Sequence, residues 1–275
     1  MTITLLNNSS ASVATRSIHN ANNRVKGSTA KLASGHRVNS AADDAAALGV
    51  ATNLRAHSTS ARQAMRNAND GVSILQTADG ATDEVVDILT RIRELAVESA
   101  SATLASSERR YTETEVATLV QEIARIAENT EFNDLRLTDG TLTSLSVQVG
   151  VENKASSLIE VQLIDLTTTA LNVGGLSVAD VGAARATIDI VDTALESVSS
   201  KRSTLGAEIN RMESAFQTIQ TFAEATTAAE STIRDADFAA ETAELTTAQI
   251  LQQSAIAVLS QAKGINQNAI SLLEG

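Results

Sequence analysis

The 275-residue chain contains no cysteine, no proline and no tryptophan, and aromatic residues make up only 2% of it. Without cysteine the chain can form no disulfide and has no thiolate metal ligand and no thiol nucleophile. Because large aromatic side chains usually dominate cores and small-molecule pockets, aliphatic residues must form the core here. The absence of proline is typical of a mostly helical chain, since proline in a helix interior costs about 3 kcal/mol.

Charge and hydropathy argue against several kinds of partner. The formal net charge of −12 disfavours binding to nucleic acids and to anionic membrane surfaces. No apolar run approaches the roughly 18 residues that a membrane-spanning helix needs. The first eight residues lack a basic segment and a long apolar stretch, so we expect no secretory signal peptide and, for an exported chain, a different route.

Both ends of the chain carry apolar residues at the heptad spacing of a coiled coil. The N-terminal repeat, with Ala14, Ala21 and Ser28 between its members, consists of Ala11, Ile18, Val25 and Leu32. The C-terminal repeat consists of two sets three residues apart, Ala248, Ala255, Ala262 and Ala269, and Leu251, Val258, Ile265 and Leu272. Beside the latter lies a further stripe, Ile256, Leu259, Ile270 and Leu273. A helix that is apolar on two sides needs more than one partner.

Two longer stripes predict two internal helices. One alternates steps of three and four residues from Ala47 to Ala96, and the other does so from Ala184 to Ala223. Arg202 is the one charged member of the second stripe, where its stem can pack while its head pairs or reaches water. Each helix has a start signal, since Ser40 with Asp43 resembles a capping box and Ser177 with Asp180 resembles another.

The middle of the chain predicts one shorter helix and a small β region. The helix covers about 107–128, and alternating apolar residues at 145–149 and 159–163 predict short strands. Asp139-Gly140 is a hairpin-turn signal. The expected fold class is mainly α, with long antiparallel helices forming coiled coils from the N- and C-terminal segments and a small β-hairpin region in the middle of the chain.

Several segments resemble bacterial flagellin, in the order in which that family has them. At the N-terminal end they are Leu32–Ala46 (LASGHRVNSAADDAA), Arg66–Ser73 (RNANDGVS), Arg91–Val97 (RIRELAV) and Thr130–Asn133 (TEFN). At the C-terminal end they are Ile233–Ala239 (IRDADFA) and Ala248–Gln253 (AQILQQ). The resemblance covers about 1–150 and 178–275. The residues between are too few for the outer domains that flagellins commonly carry, so a minimal form is expected.

The resemblance implies an architecture, a location and partners. Residues 1–42 and 232–275 would form a terminal coiled-coil domain that lines a filament core, and 43–231 a rod-like domain with its β-hairpin region at about 135–176. The subunit would be extracellular and exported, without a cleaved signal peptide, by the flagellar type III pathway. Its partners would be many copies of itself, an export chaperone, and the cap and hook-junction proteins. The resemblance also suggests a vertebrate Toll-like receptor, contacted through Arg91, Leu95 and Glu115.

The terminal heptads are the predicted polymerisation seam. They could instead form a core within one chain, but the second C-terminal stripe favours contact between copies. Polymerisation would then order helices that are too rich in alanine to be stable alone. The seam comprises Ala11, Ile18, Val25, Leu32, Ala248, Leu251, Ala255, Val258, Ala262, Ile265, Ala269 and Leu272.

No catalytic, metal or cofactor-binding residues are predicted, because no HExxH, GxSxG or phosphate-binding loop occurs. Asp43 and Asp44 fit helix capping better than metal binding, His57 is expected to pack on its stripe, and Arg109-Arg110 is expected to be solvated. The predicted function is that of a filament subunit for swimming motility. Two alternatives stay open, a hook–filament junction protein with similar end helices and an enzyme on a coiled-coil scaffold.

Overall fold

The computed structural model describes residues 8–271, with side chains up to Gly264. The five long helices are α1 (Ser9–Ser34), α2 (Ala45–Ser99), α3 (Ser106–Asn129), α4 (Val181–Arg234) and α5 (Phe238–Ser271). Between α3 and α4 lie the strands β1 (Glu131–Phe132), β2 (Leu135–Arg136), β3 (Ser144–Gln148) and β4 (Leu158–Gln162), with a 3-10 turn at Ala155–Ser157. The predicted fold class is confirmed. The helices α2 and α3 lie within a few residues of their predicted bounds, whereas α4 continues to Arg234, eleven residues beyond the end of its predicted stripe.

The chain divides into two compact units. The terminal unit takes the described residues up to His57 and those from Ala225 onward, and the central unit spans Ser58–Glu224. Both boundaries fall inside long helices, in α2 and in α4.

In the terminal unit α1 and α5 pack side by side in antiparallel directions. The side-chain amide of Asn8 donates to the Ala262 carbonyl at 3.0 Å, whereas near the other end of α1 Arg24 contacts Glu244 at 2.6 Å. The ends of α1 have the expected local causes. The Asn8 side chain accepts from the Ala11 N–H, and Gly35 takes the left-handed φ of +73° while donating to the Lys31 carbonyl.

The start of α2 differs from the prediction. Asp43 accepts hydrogen bonds from the Asn39 and Ser40 N–H groups, but residues 41–43 form a turn rather than the first turn of a helix. The N-cap is Asp44, whose carboxylate accepts from the Ala47 N–H at 2.9 Å. The capping box predicted at Ser40 is therefore in the wrong position. Of the two adjacent aspartates, Asp44 and not Asp43 caps α2.

The central unit encloses the main hydrophobic core. Every predicted α2 stripe position from Ala61 to Ala96 is buried, and α4 contributes buried residues at its own stripe from Ala184 to Ala223. The two helices run antiparallel, since Arg93 contacts Asp192 while Arg202 contacts Asp79. Arg202 also reaches Asp83 at 2.5 Å, so the one charged member of the α4 stripe is paired, as predicted.

The N-terminal end of the α2 stripe is not buried in the chain. Val50 is half exposed, and His57, expected to pack on this stripe, is exposed as well. The prediction that His57 packs on this stripe is therefore wrong within a single chain. A periodic apolar pattern predicts that one face of a helix is buried, but it does not show whether the same chain or another chain buries that face.

The β region forms two small antiparallel hairpins. The strands β3 and β4 lie where the alternating pattern predicted strands, and they pair with Leu145 opposite Val161 and Val147 opposite Ile159. The tight turn lies at Asn133-Asp134, between β1 and β2, not at Asp139-Gly140. Asn133 and Asp134 both adopt positive φ, which a two-residue type I′ hairpin requires, whereas of Asp139-Gly140 only the glycine does. The hairpin turn predicted at Asp139-Gly140 is therefore wrong.

Candidate assembly surface

The seam between α1 and α5 is made of small residues. The buried members are Ala14, Ala21 and Ser28 on α1 and Ala248 and Ala262 on α5, while Ala255 is half buried. All recur at intervals of seven, or a multiple of seven, along their helix. Small side chains let two helix backbones approach closely, but they bury little apolar area.

Polar groups fix the register along this seam. Gln252 donates to Asn22 at 2.6 Å, and the Arg24 guanidinium donates to Glu244 at 2.8 Å. Lys31 lies 3.6 Å from Glu241. Exposed ion pairs of this kind contribute at most about 1 kcal/mol each, so they set alignment more than they set stability.

Large apolar side chains of α5 remain in solvent. Leu251 is 45% exposed and Val258 54% exposed, and Ile250 and Ile256 are exposed on other parts of the same helix. Leu251 and Val258 border a groove along the helix pair whose α1 side is formed by Val13, Ser17 and Ala21. Fully burying an exposed leucine, valine or isoleucine side chain stabilises by about 1.5–3 kcal/mol. About half of each of these side chains is still exposed, so another chain that covers them gains a corresponding share of that energy.

The structure thus divides the predicted polymerisation seam. Ala248, Ala255 and Ala262 face α1, whereas Leu251 and Val258 face solvent. The four α1 members are all half buried, namely Ala11, Ile18, Val25 and Leu32. The side chains of Ile265 and Ala269, and the whole of Leu272, lie outside the described residues. The role of these residues in assembly stays a prediction.

A backbone junction joins the chain segments next to α1 and α5. The Arg37 N–H donates to the Arg234 carbonyl at 2.6 Å, and the Ala236 N–H donates to the Gly35 carbonyl at 2.9 Å. His36 Nδ1 lies 3.4 Å from the Asp235 carboxylate. The junction brings together two of the motifs that resemble flagellin. Sequence reasoning missed it because main-chain hydrogen bonds leave no trace in side-chain patterns.

The residues predicted to contact a receptor are only partly on the surface. Arg91 donates two hydrogen bonds to Glu115, at 2.8 and 3.1 Å, and a third to Glu94. These bonds, that to Glu115 first, raise the pKa of Arg91 above its ordinary value. Leu95 is 2% exposed and belongs to the core of the central unit. Only Arg91 and Glu115 of the three therefore present side chains to a partner.

The arginine pair after α2 has a structural role that sequence reasoning missed. Arg109 donates to the Ser99 carbonyl at 2.9 Å and to the Ser101 carbonyl at 2.6 Å. It thereby satisfies carbonyl groups at the C-terminal end of α2, where a positive charge is favourable. The prediction that this pair is solvated is right for Arg110, which is exposed, but not for Arg109, which is half buried.

The described residues contain neither a membrane-spanning helix nor a cluster of metal-binding side chains. No helix among residues 8–271 is long and apolar enough to cross a membrane. In the same part of the chain, no three His, Asp or Glu side chains are grouped so that they could hold a metal ion.

A helix pair closed by alanines, with its larger apolar residues facing outward, defines a class of helical structural subunits that other chains complete. Two family models match this chain, the bacterial flagellin N-terminal helical region at residues 5–143 and the C-terminal helical region at 188–273. The chain belongs to the bacterial flagellin family.

Relatives of similar length support this assignment. A flagellin of Halalkalibacterium halodurans is 41% identical over 245 residues, which cover 88% of this chain and 89% of the relative. The flagellar filament 30.7 kDa core protein of Treponema maltophilum is 36% identical, covering 97% of this chain and 98% of its own.

Solved structures agree in fold. The crystal structure of Bacillus cereus flagellin matches with a TM-score of 0.50 and 30% identity. The match covers 56% of this chain and 88% of the Bacillus cereus chain. A putative flagellar hook-associated protein from Vibrio parahaemolyticus matches with a TM-score of 0.59 and 15% identity, covering 70% of this chain and 99% of its own. The second likeness concerns the fold alone.

Proposed function

We propose that this chain is the repeating structural subunit of a bacterial flagellar filament and that other copies complete its terminal unit. The observation that carries the proposal is the exposure of Leu251 and Val258 beside a seam already closed by alanines. The surface that α5 leaves uncovered is apolar and contiguous with α1, which suits another helix pair of the same kind. Because the chain belongs to the flagellin family, the assembly in which such contacts would repeat is the flagellar filament.

The physical mechanism couples ordering to assembly. A helix pair that buries mostly alanine and serine gains little from its own seam, so the ends are marginal in a free subunit. Neighbours that cover the exposed leucine, valine and isoleucine side chains stabilise the ordered form by mass action. Contacts that are head-to-tail and do not close on themselves produce a helical filament.

The subunit's domains and surroundings follow from the same proposal. The terminal coiled-coil domain, 1–42 with 232–275, lines the filament core, and the rod-like domain 43–231 surrounds it. The filament is extracellular, and the subunit reaches it through the flagellar type III pathway, with an export chaperone, the cap and the hook-junction proteins as further partners. Torque applied at the base of such a polymer becomes thrust for swimming.

The hook–filament junction alternative has less support. The hook-associated likeness is 15% identical, whereas the flagellin relative is 41% identical over most of both chains. Copy number separates the two functions, because a filament contains many copies of its subunit and a junction few. Quantifying this chain against the other proteins of purified flagella distinguishes them.

Arg91 and Glu115 form a second, compatible contact. Both are exposed, and two nitrogens of the Arg91 guanidinium donate to one carboxylate oxygen of Glu115, Oε1, on the surface of α2 and α3. We propose that this pair makes a polar contact between subunits in the filament and is open to a Toll-like receptor in the free subunit. A reporter-cell assay with soluble subunit tests the receptor part, and no response from the free subunit removes it.

Truncation gives the most direct test of the proposed function. Removing residues 240–275 deletes almost all of α5 but leaves the central unit and its core intact. We expect a folded, soluble protein that cannot polymerise, seen by circular dichroism and by electron microscopy after seeding. Normal filaments from this truncation would contradict the role given to α5.

A single substitution sharpens the same test without deleting a helix. Val258→Glu places a charge on an exposed apolar position, so the free subunit should tolerate it while filaments fail to form. Gln253→Glu adds the same charge at an exposed polar position of α5 and is the matched control. Filaments from the control and none from Val258→Glu are the expected pair of results.

A further inference from the structure

The central unit contains an apolar cavity that nothing in the chain fills. It has a volume of about 620 Å³ and lies between the loop that joins β3 to β4 and the C-terminal part of α4. Its wall includes Val149, Val151, Leu158, Ile219 and Phe222. Leu158 is 43% exposed and Phe222 42% exposed, so the opening is apolar as well as the interior.

The cavity also has a guanidinium group in its wall. Two charged residues, Glu152 and Arg211, line it. Glu152 forms an ion pair with Lys154, and Arg211 interacts electrostatically with Glu208. An apolar cavity bordered by a guanidinium suits an aromatic ring, because arginine is attracted to the face of such a ring.

Tyr111 has the complementary properties. Its side chain is 77% exposed, more than any other large apolar residue of the described chain. Its hydroxyl has no hydrogen-bond partner within the described residues. On the helix surface it lies one turn from Glu108 and from Glu115, so carboxylates flank the ring. An isolated exposed tyrosine with no internal role is typical of an interface anchor.

Tyr111 and the cavity lie at opposite ends of the central unit. Glu113, two residues from Tyr111, accepts a hydrogen bond from Ser177 at 3.0 Å, just before α4 begins at Val181. The cavity wall uses α4 from Arg211 to Phe222. A helix rises 1.5 Å per residue, which separates Val181 from the middle of that stretch by roughly 50 Å. Tyr111 therefore cannot fill the cavity of its own chain.

We propose that Tyr111 of one copy inserts into this cavity of the next copy along the filament. The inference rests on the proposed function, since it needs copies stacked end to end. A protrusion at one end and a complementary cavity at the other form a heterologous contact that does not close, which is the geometry of a growing polymer. The ring of Tyr111 then meets Arg211 of the neighbour.

The absence of cysteine allows a direct test by cross-linking. The double variant Tyr111→Cys with Thr218→Cys places one thiol at the protrusion and one in the cavity wall. Oxidation of assembled filaments should give a ladder of disulfide-linked dimers, trimers and longer chains on a non-reducing gel. The same protein dissociated to subunits should give none.

Two controls separate the possible failures. Tyr111→Cys with Ser199→Cys, at an exposed position in the middle of α4, should give no ladder in filaments. Normal filaments of the Tyr111→Cys, Thr218→Cys variant without a ladder would overturn the insertion of Tyr111 but leave the proposed function intact. Failure of the unmodified chain to form filaments would overturn both.

A second measurement keeps the proposal falsifiable if the double variant assembles poorly. Tyr111→Ala should raise the critical concentration for polymerisation by about tenfold or more, whereas Tyr111→Phe, which keeps the ring, should change it little. Because Tyr111 is exposed, neither change should alter the thermal midpoint of the free subunit. Equal critical concentrations for the alanine and phenylalanine variants would overturn the proposal.

Discussion

The terminal and central units use apolar residues in opposite ways. In the central unit the buried positions are occupied by large side chains such as Leu75, Leu89, Ile123 and Met212. In the terminal unit most buried apolar residues are alanines, while Val13, Ile250 and Leu251 are among the large apolar residues left exposed. The central unit buries its large apolar residues within the chain, whereas the terminal unit leaves many of its large apolar residues exposed.

The difference shows how one chain can be stable before assembly and still be driven to assemble. Buried leucine and isoleucine supply the free energy that keeps a single subunit folded. Exposed leucine, valine and isoleucine supply free energy only when another chain covers them. Under the proposed function, the partition also leaves the ordering of the ends to the polymer, since a marginal helix pair gains most from its neighbours. Substitutions at the two kinds of leucine should therefore have opposite consequences.

The largest effect on the free subunit should come from the central core. Leu89→Ala removes a fully buried side chain of α2 and leaves a cavity, which costs about 2–5 kcal/mol of unfolding free energy. Urea unfolding of the free subunit, followed by circular dichroism, measures this loss. Leu251→Ala is the matched control, because it makes the same chemical change at a residue that is 45% exposed.

Leu251→Ala should instead act on polymerisation. We expect little change in the urea midpoint of the free subunit and a clear rise in the critical concentration, because the lost contact is one between copies. If Leu251→Ala destabilised the free subunit as much as Leu89→Ala, the contrast between the units would be wrong.

The same contrast explains what the sequence could and could not predict. The α2 stripe predicted burial correctly from Ala61 to Ala96, where α4 and the β region supply the cover. It predicted wrongly at His57, where the stripe continues but the chain leaves it exposed. Periodicity reports that a helix has an apolar face, and it carries no information on whether that face is covered within the chain or by another copy.

Other features were outside the reach of periodicity for different reasons. The junction between Gly35–Arg37 and Ile233–Ala236 consists mainly of main-chain hydrogen bonds, which any sequence could make. The turn at Asn133-Asp134 was missed because a glycine six residues later gave the stronger turn signal. The cavity at the far end of the central unit from Tyr111 needs two segments that are distant in sequence, so no local pattern encodes it.

A smaller effect is expected where the chain leaves α1. Gly35 has a φ of +73°, and a Cβ added there would meet nothing within 4 Å, so Gly35→Ala costs only the backbone strain of about 1–2 kcal/mol. Gly27→Ala is a matched control inside α1, also with open space around it, and should stabilise the helix by about 0.5–1 kcal/mol. Hydrogen exchange of the α1 amides measures both changes. Shifts in the same direction for both variants would contradict the left-handed assignment at Gly35.

The smallest effect is expected from the turn that precedes α2, and it should depend on pH. Hydrogen bonds from the Ser40 N–H first, then the Asn39 N–H and the Ser40 hydroxyl, lower the pKa of Asp43 below its ordinary value. A carboxyl group with a lowered folded pKa stabilises the fold above the unfolded pKa of about 3.9, and this contribution is lost as the pH falls through the folded pKa. Asp43→Asn should therefore lower the thermal midpoint slightly at pH 6 and not at all in strong acid.

The comparison of wild type and Asp43→Asn across pH isolates this one group, because every other carboxyl titrates alike in both proteins. Asp87→Asn, the same substitution at an exposed position of α2 away from this turn, is the control for the change from carboxylate to amide. A midpoint difference for Asp43→Asn that stayed constant from pH 6 down to strong acid would mean that the charge of Asp43 is irrelevant. The turn would then depend on its neutral hydrogen bonds alone, and the segment entering α2 would be insensitive to acid.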